Sequence, residues 1–231
     1  GRGPQQKSGV YRSDNGGKMK GDVIKSLVFL LLVAGSLSAN GKDRSIPPDD
    51  LVYCTVCHGV NLMGNSLLKA PRLSGMASWH VKQQLQSFRH GWRGVHEKDL
   101  AGLEMRPMAR ELTDKQIEQA AKFVASTWSD LPRKTIKGDV GHGKMLYQSC
   151  LACHGREGEG NETLRGSPLA GLNDWYVKAQ LENYQNGRRG HNTEDVYGTQ
   201  MKAASLVLSS EGDMLDIVSY IATLQPKLTQ E

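Results

Sequence analysis

Cys54-Thr-Val-Cys57-His58 places two thiols one helical turn apart and a histidine directly after the second, and the pattern returns as Cys150-Leu-Ala-Cys153-His154. Thiols at this spacing can each add to a vinyl group of one haem, and the adjacent histidine then reaches the iron from the same side. The sequence therefore predicts two covalently bound haem c groups. The predicted attachment residues are Cys54, Cys57, Cys150 and Cys153, and the predicted proximal iron ligands are His58 and His154.

Two other uses of the four thiols compete with haem attachment. Zinc could bind two C-x-x-C pairs, but the 92 residues between the pairs far exceed the spacing of a zinc ribbon. Two disulfides or a redox motif would suit an exported protein. Neither alternative requires a histidine after each second cysteine, so haem attachment is favoured.

An internal repeat organises the chain. An offset of 96 aligns residues 54–112 with residues 150–208 without a gap, and 21 of the 59 aligned positions are identical. Such self-similarity indicates a duplicated domain. We predict cytochrome-sized domains at residues 40–129 and 139–231, joined by a linker at 130–138 in which Pro132 stops the preceding helix.

Each repeat has a helical pattern and no convincing alternation of a strand, so the predicted class is all-α. Ser78 and Asp174 are predicted helix caps, and the apolar positions 81, 85 and 88 recur at 177, 181 and 184. Gly91 and Gly187 would end these helices. A capping box from Thr113 to Gln116 predicts a terminal helix, with its counterpart starting at Ser210.

The second ligand of each iron is predicted from the repeat. Of the four methionines that follow the first haem motif in its repeat, only Met105 has a methionine, Met201, at the offset position. The spacing from histidine to methionine is 47 residues in both halves. Met108 competes with Met105, because Met105-Arg-Pro-Met108 is expected to form one loop. No histidine outside the two motifs has a histidine at the offset position, which argues against a pair of histidine ligands.

The N-terminal 39 residues are predicted to lie outside the fold. Residues 1–18 form a polar upstream segment, and residues 19–39 resemble a secretory signal with Lys20 and Lys25 before an apolar stretch. Cleavage is expected near Ser38 or Ala39, giving a protein of the periplasm of a Gram-negative bacterium. A retained anchor is the alternative, although the apolar run of about 13 residues is shorter than the roughly 20 that span a membrane.

Charge excludes a nucleic-acid-binding protein. The net charge of +5 comes mostly from residues 1–39, which hold six basic and two acidic residues. The remaining chain is unevenly charged, with 14 basic and 10 acidic residues at 40–134 but 9 basic and 12 acidic residues at 135–231. A dipole between the two halves is therefore expected.

Residues 51–224 resemble the class I cytochromes c, and among them the two-domain cytochrome c4 type. In the first half the resemblance is carried by C-x-x-C-H, Pro71-Arg-Leu-Ser-Gly75, Val81-Lys-Gln-Gln-Leu85, Gly91-Trp-Arg93 and Met105-Arg-Pro-Met-Ala109. In the second half it is carried by C-x-x-C-H, Pro168-Leu-Ala-Gly171, Val177-Lys-Ala-Gln-Leu181, Gly187-Arg-Arg189 and Met201. The resemblance implies two small helical domains, each wrapped around one haem, with the axial methionines at Met105 and Met201.

The chain departs from this family at the start of the first domain. Family domains begin with a helix whose glycine and aromatic residue cross the last helix, as Gly143-Lys-Met-Leu-Tyr147 does in the second half. Residues 46–53 offer a shorter segment without the glycine, so we expect looser N-terminal packing in the first domain. Arg93 and Arg189 are candidates to bind haem propionates or to form a solvated surface pair.

The predicted function is that of an exported electron carrier rather than an enzyme. Its expected partners are a quinol:cytochrome c oxidoreductase or a dehydrogenase as donor, and a terminal oxidase or reductase as acceptor. Peripheral membrane association is compatible with this role, and no nucleic acid is involved. The alternative is a dihaem cytochrome subunit of an enzyme complex such as a sulfide-oxidising flavocytochrome.

Overall fold

The computed structural model describes Gly1 and residues 47–226, so the predicted upstream segment and signal peptide lie outside the described residues. In the first repeat a 3-10 helix at Asp49–Leu51 is followed by α1 (Val52–His58), α2 (Ser78–Arg89), α3 (Leu100–Arg110) and α4 (Asp114–Ser126). In the second repeat, α5 (Val140–Leu146), a 3-10 helix at Tyr147–Cys150, α6 (Leu151–His154), α7 (Asp174–Gln185), α8 (Val196–Ser205) and α9 (Glu211–Ile221) follow.

Helices account for the regular structure throughout the described residues, apart from two isolated bridges at equivalent places in the repeats. These bridges pair Asn65 with Ala70 and Asn161 with Gly166. The predicted all-α class is therefore confirmed. Among the described residues no helix is both long and apolar enough to cross a membrane.

Each repeat has its own apolar core. In the first, α2 packs on α4, and Leu85, Ile117 and Ala121 are buried between them. In the second, α7 packs on α9 through Leu181 and Ile217. The apolar positions predicted at helical spacing form the inner faces of these helices.

Two of the four predicted helix starts are confirmed. Thr113 caps α4 in a capping box with Gln116, and Ser210 caps α9 in a capping box with Asp213. The predicted caps Ser78 and Asp174 are wrong by one residue, because each is the first residue of its helix.

Asp174 fixes the connecting segment instead of capping α7. Its carboxylate accepts hydrogen bonds from the backbone N–H of Thr135, from the Thr135 hydroxyl at 2.8 Å and from the backbone N–H of Ile136 at 2.7 Å. Since Asp174 is only 2% exposed, these donors satisfy a buried carboxylate. The predicted linker is therefore packed against the second repeat at this point.

The second repeat begins with the crossing that its sequence predicts. Gly143 of α5 lies so close to α9 that a Cβ would overlap the backbone oxygen of Asp216. Tyr147 is fully buried, contacts Tyr220 with tilted rings whose centroids are 5.2 Å apart, and donates to the carbonyl of Gly155 at 2.9 Å. Among described residues 47–58 of the first repeat, only a short 3-10 helix precedes α1.

Candidate functional site

The haem motifs lie at the ends of short helices. In the first repeat Cys54, Cys57 and His58 are all on α1, where spacings of three and four residues share one helix face. In the second repeat Cys150 ends a 3-10 helix, and Cys153 and His154 lie on α6. The motif geometry is therefore set by local helical structure in both repeats.

Both motif histidines are held by a backbone carbonyl. The Nδ1–H of His58 donates to the carbonyl of Pro71, and that of His154 donates to the carbonyl of Ser167, each at 2.8 Å. A carbonyl can only accept, so Nδ1 carries the proton and Nε2 carries the lone pair in the neutral ring. The two different residue types supply the same acceptor at equivalent positions.

Burial keeps both imidazoles neutral. Desolvation lowers the pKa of His58 and of His154, and the hydrogen bond to the backbone carbonyl opposes this effect in each case. A neutral imidazole with its Nδ1–H fixed is the form that can donate its Nε2 lone pair to a metal. Both histidines are thus prepared as metal ligands.

None of the four motif cysteines is paired in a disulfide. Cys54 and Cys150 are partly buried and pack against the apolar cores, whereas Cys57 and Cys153 are exposed. Burial is the main reason that the pKa of Cys54 and of Cys150 is raised. Across residues 47–226, no three His, Cys, Asp or Glu side chains come together to hold a metal ion as a cluster.

The candidate methionines lie on helices, which corrects the expected loop. Met105 and Met108 are both on α3, which continues through Pro107 to Arg110 and begins with the Asp99 carboxylate accepting from the N–H of Gly102. This N-terminal cap stabilises the helix although Pro107 removes one hydrogen-bond donor from it. Met108 is 48% exposed, whereas Met105 is partly buried against the first core.

One cavity of about 320 Å³ is lined by both repeats. Its wall holds the candidate ligands His58, Met105, His154 and Met201, together with apolar side chains of α2 and α7 such as Leu85 and Leu181. The motif histidines and the methionines matched by the repeat therefore face a common space. Of the five histidines outside the motifs, His80 alone lines this cavity.

A polar cluster lies where the two repeats meet at the cavity. Arg93 donates to Gln84 of its own repeat at 2.6 Å and to Gln180 of the other at 3.3 Å. Arg189 mirrors this arrangement, donating to Gln180 at 2.7 Å and to Gln84 at 3.4 Å. The cluster has approximate twofold symmetry, as the repeat requires.

Both guanidinium groups are buried, so the predicted surface pair is wrong. Arg93 is 6% exposed and lies over Phe88, and Arg189 is 8% exposed and lies over Tyr184. The ion pairs found among the described residues do not include either arginine. Buried cations favour anionic partners, and a guanidinium matches a carboxylate especially well.

These residues fit a haem. Its apolar ring suits the wall formed by α2 and α7, its two carboxylates suit the buried guanidinium groups, and its iron suits an imidazole Nε2 and a thioether sulfur. Gln84, Gln180 and the burial of both arginines were missed from the sequence. The signal was present, because both polar pairs are identical in the two repeats.

The family model described as cytochrome c matches residues 52–128 and 140–225 of this chain. A cytochrome c4 of Azotobacter vinelandii is 29% identical over 213 residues, covering 87% of this chain and 99% of the relative. A thiosulfate dehydrogenase electron acceptor of Stutzerimonas stutzeri is 28% identical over 187 residues, covering 76% of this chain and 81% of the relative.

Solved structures with a similar fold belong to the same kinds of protein as these relatives. The reduced recombinant cytochrome c4 of Pseudomonas stutzeri superposes with a TM-score of 0.61 at 26% identity, covering 76% of this chain and 95% of that chain. A thiosulfate dehydrogenase of Marichromatium purpuratum gives a TM-score of 0.59 at 26% identity, and this chain spans only 36% of it. The prediction of two haem c groups is confirmed by two matched domains that each hold one C-x-x-C pair. The chain therefore belongs to the cytochrome c family, as an electron carrier with one haem c in each of two tandem domains similar to those of cytochrome c4.

Proposed function

We propose that this protein is an exported dihaem carrier that passes single electrons between respiratory partners, with each iron held by one histidine and one methionine. The observation that carries the proposal is the shared cavity wall. His58 and Met105 of the first repeat, and His154 and Met201 of the second, line the same space. The domains would extend over residues 40–129 and 139–231, with the linker at 130–138.

The chain's residues would hold and tune the cofactors. When bound, haem c supplies a one-electron Fe(III)/Fe(II) couple. The carbonyls of Pro71 and Ser167 fix the histidine rings, and the soft methionine sulfurs favour the ferrous state, which raises the reduction potential. Arg93 and Arg189 would neutralise haem carboxylates inside the protein. Because the protein would supply both a histidine and a methionine to each iron, the sites would suit electron transfer rather than the binding of a substrate.

The methionine assignment can be tested by two alanine variants of α3. Met105→Ala should remove half of the near-infrared sulfur-to-iron band and lower one of the two potentials, because a partly buried sulfur on the cavity wall is lost. Met108→Ala is the matched control, since Met108 is on the same helix but 48% exposed, and it should keep the full band. The reverse result would show that Met108 is the ligand.

Export and partners can be tested in the native bacterium. We expect the protein in the periplasmic fraction with residues 19–39 removed. Purified holoprotein should accept electrons from membranes supplied with a quinol and deliver them to a terminal oxidase or reductase. Retention of the N-terminal segment in a membrane fraction would overturn soluble export, and failure to react with any membrane preparation would overturn the respiratory role.

A second function has one specific observation in its favour. A relative that covers 76% of this chain is named as the electron acceptor of a thiosulfate dehydrogenase. The corresponding proposal is a dihaem subunit that takes electrons from an enzyme oxidising a sulfur compound, such as a sulfide-oxidising flavocytochrome. Stable co-purification with a catalytic subunit, flavin-containing in the flavocytochrome case, would favour this role over a free carrier.

A further inference from the structure

The two repeats differ at one position inside the cavity. His80 of α2 corresponds to Tyr176 of α7 at the offset of 96, and both side chains line the cavity wall. The Tyr176 hydroxyl accepts a hydrogen bond from Arg93 at 3.4 Å. His80 is 6% exposed, and its buried Nδ1 has no hydrogen-bond partner among the residues that the structure describes. A buried polar atom without a partner is costly, so Nδ1 indicates a ligand that enters the cavity.

The surroundings of His80 are positively charged. Burial is the main reason that the pKa of His80 is lowered to about 3, and the neighbouring positive charges of Arg93 and Arg189 contribute to the same shift. The other titratable groups around the two arginines are Tyr176, Tyr184 and the Asp99 carboxylate. Carboxylates entering this cavity would act in the opposite direction, because negative charge favours the imidazolium form.

We propose that His80 binds a haem carboxylate through its Nδ1 and takes up a proton when the iron of the second domain accepts an electron. This inference rests on the proposed function, since it requires His154 to hold that iron. It assigns the coupling to the second haem from the twofold arrangement of the cluster. Tyr176 of the second repeat accepts from Arg93 of the first at 3.4 Å, so the equivalent place of its counterpart His80 is beside Arg189 of the second repeat. The protonation state of His80 in the first domain would thus depend on the oxidation state of the haem in the second domain.

The step balances as one electron and one proton. The redox partner supplies the electron that converts Fe(III) to Fe(II), and solvent supplies the proton that converts the imidazole to imidazolium. The electron and the proton are both released when the protein is oxidised. Reduction removes one positive charge near His80, so its proton affinity is higher in the reduced protein. Tyr176 cannot replace it, because a phenol ordinarily ionises only near pH 10.

The test is the pH dependence of both reduction potentials in the holoprotein. Between the pKa values of His80 in the oxidised and reduced states, the second-haem potential should fall by up to about 59 mV per pH unit, the one-electron equivalent of a tenfold change. The first-haem potential should change much less. His80→Tyr, which restores the symmetry with Tyr176, and His80→Gln should both abolish this difference. His96→Gln, which alters a histidine on the loop before α3, is the matched control and should keep it.

A second measurement follows protons directly. A pH indicator in weakly buffered solution should report proton uptake on reduction of wild type that is lost in both His80 variants. A pH dependence that survives in either folded variant, or a wild-type potential that is constant between about pH 5 and 9, would overturn the inference. Either result leaves the carrier function intact if both haems are bound and reversibly reduced. Loss of reversible reduction in wild type would instead overturn the proposed function.

Discussion

Arg72 shows how one side chain connects parts of the chain that are far apart in sequence. It is 7% exposed, and its guanidinium donates to the hydroxyl and carbonyl of Ser129, each at 3.1 Å, and to the carbonyl of Asp130 at 3.3 Å. Its backbone N–H donates to the side chain of Asn173 in the second repeat at 2.6 Å. The offset position holds Pro168, which has neither a backbone N–H nor a guanidinium and so cannot make the equivalent connection.

Replacing the Arg72 side chain should therefore remove its contacts with Ser129 and Asp130, and its contact with the Gly171 carbonyl of the second repeat at 3.5 Å. Arg72→Met would keep most of the apolar stem but remove the charged donor from the hydroxyl and carbonyl of Ser129. Hydrogen bonds to a charged group contribute about 1.5–3 kcal/mol, so we expect the free energy of unfolding to fall by about 2–3 kcal/mol. Urea unfolding of the holoprotein, followed by helical circular dichroism, measures this loss.

Arg110→Met is the matched control for this prediction. Arg110 has a side chain that is 58% exposed, and within residues 47–226 its one ion pair is with its neighbour Glu111 at 2.9 Å. An exposed ion pair contributes little, so the control should change the free energy of unfolding by less than about 0.5 kcal/mol. Equal effects of the two substitutions would show that the buried contacts of Arg72 add nothing to stability.

The elements of the second repeat depend on the crossing of α5 and α9. A Cβ at Gly143 would overlap the backbone oxygen of Asp216 and approach the Cβ of Tyr220 to 2.9 Å. Backbone atoms cannot move aside without separating the two helices. Gly143→Ala should therefore destabilise the protein by about 1–3 kcal/mol, the usual cost of overpacking.

Gly212→Ala tests the same change where space is available. Gly212 is exposed in the first turn of α9, and a Cβ there would meet nothing closer than the Ser210 hydroxyl at 3.5 Å. This control should be neutral or slightly stabilising, because alanine favours a helix more than glycine does. Thermal unfolding of both variants separates the two cases, and a Gly143→Ala protein as stable as wild type would contradict the close crossing.

An ion pair between the same two helices predicts that the stability of the protein depends on pH. The Nδ1 of His142 in α5 lies 2.8 Å from a carboxylate oxygen of Asp216 in α9. This hydrogen bond raises the pKa of His142, and it lowers the pKa of the Asp216 carboxyl together with a hydrogen bond from the N–H of Asp139. The histidine's contribution is full below its ordinary pKa and disappears as pH rises through the raised value. The carboxylate's contribution is present above its ordinary pKa and is lost in stronger acid.

His142→Gln should consequently lower Tm more at about pH 5.5 than at about pH 8.5, because only protonated His142 makes the ion pair. Differential scanning calorimetry of wild type and variant at both pH values measures the two differences in Tm. His191→Gln, which changes an exposed histidine of the second repeat, provides the control and should show no such pattern. A constant difference in Tm at both pH values would show that the pair does not contribute as an ion pair.

At the scale of helices, the sequence predicts features that depend on neighbouring residues and misses features that depend on residues far away in the chain. The capping box at Thr113 and the helix start at Ser210 depend on neighbouring residues, and both form as predicted. The start of α7 was misplaced by one residue because the Asp174 carboxylate binds Thr135 and Ile136, about 40 residues away. The burial of Arg93 and Arg189 could not be read from one repeat, because it arises only when two repeats pack together.

At the scale of the whole molecule, the two repeats form a nearly symmetric interior, but the two halves of the chain differ in net charge. The same hydrogen bond from arginine to glutamine occurs in both halves, from Arg93 to Gln84 and from Arg189 to Gln180. The charges do not repeat, since residues 40–134 carry an excess of four positive charges and residues 135–231 an excess of three negative ones. Because Arg93 is buried, the basic surface of the first half rests on other residues, including exposed Lys98 and Lys115.

This charge difference predicts that the first half docks with acidic redox partners. Exposed charges steer association at low salt, and a Debye length of about 8 Å at physiological ionic strength weakens this steering. Changing both Lys98 and Lys115 to Gln should slow electron transfer with an acidic partner several-fold at low salt and hardly at all at high salt. Stopped-flow kinetics across a salt series measures the effect.

Changing the exposed Glu162 and Glu194 of the second half to Gln is the control, and it should not slow the same reaction. Rates that are independent of ionic strength for every partner would refute electrostatic docking but leave the haem sites unaffected.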